Sequence, residues 1–155
     1  SLAFFGGTKE IPRFSLLQSP IAIRAMQNHG ILQDSLGICR FTGYAFGSDP
    51  WARMLSGTTG LDFSVAKLER IENRVAALER MFNIEAGATA ADDALPARFA
   101  ESPIMVAGEP RAVTWEAQER MRRDYYAVRG WDADGKPTEA LRQELGIAPP
   151  TGRTA

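Results

Sequence analysis

The stretch Ser64-Val65-Ala66-Lys67-Leu68-Glu69-Arg70-Ile71-Glu72-Asn73-Arg74-Val75-Ala76-Ala77-Leu78-Glu79-Arg80-Met81-Phe82 decides the fold class. Its apolar residues Val65, Leu68, Ile71, Val75, Leu78 and Phe82 recur every three or four positions. That is the period of a helix with one apolar stripe, and a strand would alternate instead. Lys67, Glu69, Arg70, Glu72 and Glu79 fall mostly on the other side. Asp62 or Ser64 can cap the start and Gly87 the end. A helix is predicted over 63–84, with Leu78 and Phe82 in the core.

Cap and breaker signals place further helices on either side. Ser19-Pro20 puts a capping hydroxyl before a first-turn proline, so a helix is predicted over 19–29, ending at His29-Gly30. Asp49-Pro50 repeats the signal for 50–56, with Gly57 and Gly60 as its end. Thr114 caps a helix over 115–129 whose buried side is Trp115, Met121, Tyr125 and Val128. Glu116/Arg120 and Glu119/Arg123 are i,i+4 pairs in the favourable order, each contributing about 0.2–0.5 kcal/mol. Gly130 ends it and Asp134-Gly135 makes a turn. Thr138 caps a last helix through Leu141 and Leu145, closed by Gly146 and stopped by Pro149-Pro150.

Between them, residues 88–111 carry Pro96, Pro103 and Pro110 and read as a connection, with a helical turn near Asp92–Phe99. Strand signals are weak, the one short apolar run being Ile104-Met105-Val106. The predicted class is all-α and multihelical. Residues 1–18, with Gly6-Gly7 and Pro12, read as an N-terminal arm, 19–147 as the helical domain, and 148–155 as a mobile tail.

Composition narrows the function classes. Eighteen basic and 19 acidic residues leave a net charge of -1, without the basic footprint of a nucleic-acid binder. A hydrophobic fraction of 45% suits a packed core, and no run approaches the ~18 apolar residues of a membrane span. The single cysteine excludes an intramolecular disulfide. Phe4-Phe5 gives way at once to Gly6-Gly7 and charged residues, which is no signal-peptide pattern. These features point to a reducing, cytoplasmic compartment.

The candidate chemistry lies in Asp34-Ser35-Leu36-Gly37-Ile38-Cys39-Arg40-Phe41. On residue type alone, Cys39 is a small hydrophobe, Asp34 a helix cap or Asx-turn residue, and Gly37 a turn glycine. A lone thiol cannot hold a metal cluster. His29 is ten residues upstream of Cys39 and is given no catalytic role. Arg98 and Arg129 can anchor buried carboxylates or carbonyls, or face a phosphate, with the structural role expected. Trp131 is expected to be a packing anchor.

The spacing D-x-x-G-x-C is followed in order by Thr59-Gly60-Leu61-Asp62, by Leu78-Glu79-Arg80-Met81-Phe82-Asn83 and by Asp92-Asp93-Ala94-Leu95-Pro96-Ala97-Arg98. Tyr125-Tyr126-Ala127-Val128-Arg129-Gly130-Trp131-Asp132-Ala133-Asp134-Gly135-Lys136-Pro137-Thr138 closes the series. This order and spacing, from about Ala25 to Leu145, resembles the C-terminal part of the tungsten-containing aldehyde:ferredoxin oxidoreductases. The resemblance implies that Cys39 is the last of four ligands to a 4Fe-4S cluster. It implies that Asp34 binds a tungstopterin (tungsten or molybdenum), with backbone groups of Ile38 and Arg40 adding contacts to the pterin edge. N-terminal domains of the same enzyme would supply the other three cysteines and the second pterin motif.

The whole enzyme would oxidise aldehydes to carboxylic acids with ferredoxin as acceptor, and this segment would be inactive alone. One departure is Glu72-Asn73-Arg74, where the family often has glycine-glutamate-arginine. Two alternatives stand beside this reading: the same family acting on an aromatic thioester, and a cofactor-free helical interaction module. An exposed Asp34 and Cys39 on a concave, partly apolar face would favour a cofactor site. An apolar patch is expected near 31–46, from Ile31, Ile38, Phe41, Tyr44 and Phe46, covered by the other domains or by a second copy in a homodimer.

Overall fold

A computed structural model describes residues 19–43 and 46–148. The predicted arm, Tyr44 and all of the predicted tail beyond Ala148 lie outside the described residues. Among the described residues seven helices follow in order: α1 (Ser19–Leu36), α2 (Arg40–Gly43), α3 (Ser48–Thr59), α4 (Val65–Glu85), α5 (Arg98–Glu101), α6 (Trp115–Arg129) and α7 (Glu139–Leu145). A 3-10 turn spans Ala90–Asp93, and a hairpin of β1 (Ile104–Val106) and β2 (Glu109–Arg111) sits between α5 and α6. The multihelical class stands. The apolar run Ile104-Met105-Val106 pairs antiparallel with Glu109–Arg111, Val106 opposite Glu109, through a tight turn in which Ala107 and Gly108 both take positive φ.

Helix α1 is packed against both α4 and α6, α3 against α4, and α4 against α7. Two apolar clusters hold this arrangement. Leu32, Trp51, Ala52 and Leu68 pack with Leu36, Ile38, Leu55 and Phe63 at the α1–α3–α4 end. Ala77, Leu145 and Ile147 pack with Met81 and Leu141 where α7 lies on α4. Three caps read from sequence are in place: Ser64, Thr114 and Thr138 each accept the backbone N–H three residues on, at 3.2, 3.2 and 3.3 Å. Asp49 is not a cap, because α3 starts at Ser48 with Gly47 as its N-cap and Asp49 falls within the first turn.

Several expectations are corrected. Helix α1 does not stop at His29-Gly30 but continues to Leu36. The extra turns bury Leu32 in the core, which outweighs the ~1 kcal/mol that an interior glycine costs. Helix α3 likewise runs through Gly57 and ends at Gly60, whose φ of 71° stops it. The predicted stripe of α4 is not its buried face. Leu68 is buried, but Val65, Ile71 and Leu78 are exposed and Phe82 is 71% exposed, so Leu78 and Phe82 are not core residues. The inner face is Leu68, Glu72, Ala76, Ala77 and Arg80. Packed on several sides, α4 turns small residues inward where helices approach closely, and two charged ones where they meet polar partners.

On α6 the buried residues are Tyr126 and Arg129, while Trp115 is half exposed. Its ion pairs also differ from those read in sequence: Glu119 is bonded to Arg122 at 2.6 Å, and Arg120 lies 3.8 Å from Asp124.

Arg80, 8% exposed, joins three regions. Its Nη1 and Nη2 donate to the Asp93 carboxylate at 3.1 and 2.6 Å, and its Nε donates to the Gly135 carbonyl at 2.8 Å. Tyr126 Oη donates to the same carboxylate at 2.5 Å. Gly135, at φ 74°, passes so close that an added Cβ would stand 2.5 Å from Arg80 Nη2 and 2.7 Å from Tyr126 Cζ. Gly135→Ala is therefore expected to cost about 3 kcal/mol. Gly108→Ala has a similar φ but open space around it and should cost about 1 kcal/mol. Urea unfolding of the two variants checks this, and equal losses would contradict the close-packing account.

Candidate functional site

The motif around Cys39 is a helix end. The N–H of Gly37 donates to the Asp34 carbonyl at 3.2 Å and that of Ile38 to the Gln33 carbonyl at 3.0 Å. With Gly37 at φ 65°, this is a Schellman termination, and Ile38 packs against the Leu32 cluster, the apolar contact that commonly accompanies that motif. The glycine three residues after Asp34 is thus fixed by how the helix stops. Asp34 lies in the last turn of α1, not at a helix start, and Cys39 lies just beyond the stop, exposed.

The following turn is clamped to α1. His29, half-buried in mid-helix, bonds through Nε2 to the Gly43 carbonyl at 3.0 Å, with the N–H donating. The buried Gln33 side chain donates to the Arg40 carbonyl at 3.5 Å and passes so close to Gly43 that an added Cβ would meet it at 1.1 Å. Cys39 is accordingly presented outward, while His29 faces Gly43.

Asp34 and Arg40 lie on the wall of a cleft of about 610 Å³ between α1, α4 and α6, and Arg40 Nη2 donates to Asp34 Oδ2 at 2.9 Å. The far wall carries Arg80, Asp93, Tyr125, Arg129 and Trp131. Four of the five sequence motifs thus converge on one cleft, and only Thr59-Gly60-Leu61-Asp62 stays away. Ile38 contributes no side chain to the cleft and its N–H is committed to Gln33. Cys39 is adjacent in sequence but not on the cleft lining. Arg98 is exposed, its guanidinium 5.5 Å from the Phe99 ring centroid, and takes no part.

Arg129 is an anchor. It is buried, with Nη1 donating to Asn28 Oδ1 at 2.7 Å, Nη2 to Gln27 Oε1 at 2.6 Å and Nε to Tyr125 Oη at 3.0 Å. Trp131 packs edge-on to Tyr125 at 5.7 Å, and the Arg80 guanidinium lies 5.2 Å from its ring. Sequence reading missed Arg80, Asp93 and Gln27. The first two were inside recognised motifs, but at Arg80 the apolar residues beside it dominated the helical period, and Asp93 lay in a stretch read as a connection.

Among the described residues no three His, Cys, Asp or Glu side chains gather as a metal site, and no helix is long and apolar enough to cross a membrane. The expected apolar patch is partly present: Phe41 is 82% exposed and Phe46 is exposed against Trp51, while Ile31 and Ile38 are half-buried.

The family model described as "Aldehyde ferredoxin oxidoreductase, domains 2 & 3" matches residues 2–147. The chain is 41% identical over 118 residues to a tungsten-containing aldehyde ferredoxin oxidoreductase of Pyrococcus furiosus, covering 76% of this chain and 19% of that protein. It is 38% identical over 123 residues to the protein of that description from Thermococcus kodakarensis, covering 79% and 20%. Among solved structures, the active site complex BamBC of benzoyl coenzyme A reductase, in complex with 1,5-dienoyl-CoA, superposes with a TM-score of 0.73. That match has 22% identity and covers 91% of this chain and 21% of that chain, a likeness of fold. The chain belongs to the aldehyde ferredoxin oxidoreductase family. It spans about a fifth of the length of the relatives it matches.

On the inner face of α4, the buried carboxyl of Glu72 is pushed up to about 7, first by burial and then by Glu69, against the pull of Arg24, Asn28 and Arg129. The folded chain therefore binds more protons than the unfolded one between the ordinary value of 4.5 and about 7. Stability from this group is full below that window and is lost as pH rises through it. Glu72→Gln is expected to remove the decline, gaining about 2–3 kcal/mol on wild type between about pH 5 and about pH 8. Urea unfolding at the two pH values reads the difference, and parallel curves would contradict it.

Proposed function

We propose that the chain is the segment of a tungstopterin, iron–sulfur oxidoreductase that places pterin and cluster beside each other. In this reading Asp34 accepts N–H groups of the pterin ring, the backbone of Arg40 and the carbonyl of Ile38, whose N–H is taken by Gln33, border it, and Cys39 is the cluster's fourth ligand. The observation that carries it is the position of Asp34 on the wall of a 610 Å³ cleft, with Cys39 exposed five residues on, across the helix stop. A structural cysteine would be packed inside.

The residues fit the group. Asp34 offers a carboxylate acceptor on the cleft wall, and Cys39 a soft anionic ligand. When bound, the tungstopterin supplies the two-electron chemistry that turns an aldehyde and water into a carboxylic acid, two protons and two electrons. This chain's own residues orient it: the Schellman stop fixes the offset between carboxylate and thiol, and His29 and Gln33 fix the turn that follows. The other three cysteines and the second pterin motif come from N-terminal domains of the same enzyme. Exposed Met26, Phe41, Leu78 and Phe82 support such a cover, since a small domain rarely shows so much apolar surface. Ferredoxin is the acceptor in this reading, the compartment is the cytoplasm, and a homodimer is a further assembly to test. The segment alone is inactive.

In the full-length enzyme, Cys39→Ala should lower iron content and aldehyde oxidation together, because no other cysteine lies in this segment. Asp34→Asn keeps the shape but removes the charge and part of the acceptor capacity. It should lose pterin and tungsten while retaining most of the iron. In the segment alone each change should cost about 1 kcal/mol or less, Asp34 and Arg40 being an exposed pair. Full iron and activity in Cys39→Ala would remove the assignment and leave the cofactor-free helical module.

A further inference from the structure

We infer that Arg40 is a positioning residue for the Asp34 carboxylate, and that Gly30 is the bare patch of helix on which it rests. The inference deepens the pterin reading of Asp34 and depends on it. Gly30 and Asp34 are four residues apart on α1 and so lie on one face. Gly30 is buried in mid-helix and is absent from the residues at positive φ, so nothing in its backbone demands a glycine. What it provides is room. An added Cβ would stand 3.0 Å from Arg40 Nη2, 3.1 Å from Nη1 and 3.3 Å from Cζ, so the guanidinium lies over this turn of backbone. The same Nη2 donates to Asp34 Oδ2 at 2.9 Å.

The guanidinium is therefore seated at one point and grips at another. An aspartate's terminal torsion is broad when unrestrained, and this contact narrows it. The contact uses Oδ2 and leaves Oδ1 for N–H donors of an incoming ring. Gly30, Asp34 and Arg40 all line the cleft. Both side chains of the pair are more than half exposed, and an exposed pair adds little to folding, so stability does not account for the arrangement.

The test separates positioning from structure. In the full-length enzyme, Gly30→Ala adds a methyl that displaces the flexible end of Arg40, while alanine favours the helix. The thermal midpoint should hold or rise, and iron content should stay at the wild-type value. Pterin should be released about two- to tenfold faster on dilution, as expected when a contacting side chain must be ordered on binding. Arg40→Ala should match it, and Arg40→Lys, which keeps the charge without the planar fork, should fall between. If Gly30→Ala and Arg40→Ala hold pterin as wild type does while Asp34→Asn loses it, the positioning role is wrong and the pterin reading survives. If Asp34→Asn itself holds pterin, both fall.

Discussion

The guanidinium of Arg80 is held by Asp93 on two nitrogens, by the Gly135 carbonyl on the third, and beneath the rings of Tyr126 and Trp131. These partners come from the 3-10 turn after α4, from α6, and from the loop before α7. Three separate stretches of chain thus converge on one side chain of α4. A buried charge with its hydrogen bonds met is tolerated, but removing one partner strands the other at a cost of about 3–5 kcal/mol. The cleft inherits this constraint, because Arg80, Asp93 and Trp131 form its far wall.

Arg129 does the corresponding work between α6 and α1. Its hydrogen-bond partners Gln27, Asn28 and Tyr125 are neutral, and Asn28 in turn donates to Asn73 of α4 at 3.0 Å. The interior between α1, α4 and α6 is therefore polar and directional, while the apolar clusters lie elsewhere along α4. Directional bonds fix side-chain orientation more tightly than apolar contact does. The cleft wall is built from such residues, which suits a surface that must hold a ligand in one pose.

At the opposite wall, fold and chemistry use the same residues. Gly37 ends α1, Ile38 seals that end against the core, and the thiol of Cys39 is left outside by the geometry of the stop. Gly43 then admits the Gln33 side chain. A change at any of these positions acts on the helix end and on the offset between Asp34 and Cys39 at once.

Local signals in the chain were enough for the helical class, the caps at Ser64, Thr114 and Thr138, the stops at Gly60, Gly130 and Gly146, and the series of motifs that marks the family. They are carried by side chains that bond backbone within a few residues or by glycines that accept a left-handed φ. The end of α1 depends on packing, because burial of Leu32 carries the helix past Gly30, a balance no local pattern contains. So does the inner face of α4. Helical periodicity ranks residues by apolarity, whereas the packed face is chosen by fit and by partners. Glu72 and Arg80 turn inward because Asn28, Asp93 and Gly135 await them, leaving Leu78 and Phe82 outside. The cleft was legible only in part for the same reason: its residues are written in four motifs far apart in sequence, and only the folding of α1, α4 and α6 against one another brings them together.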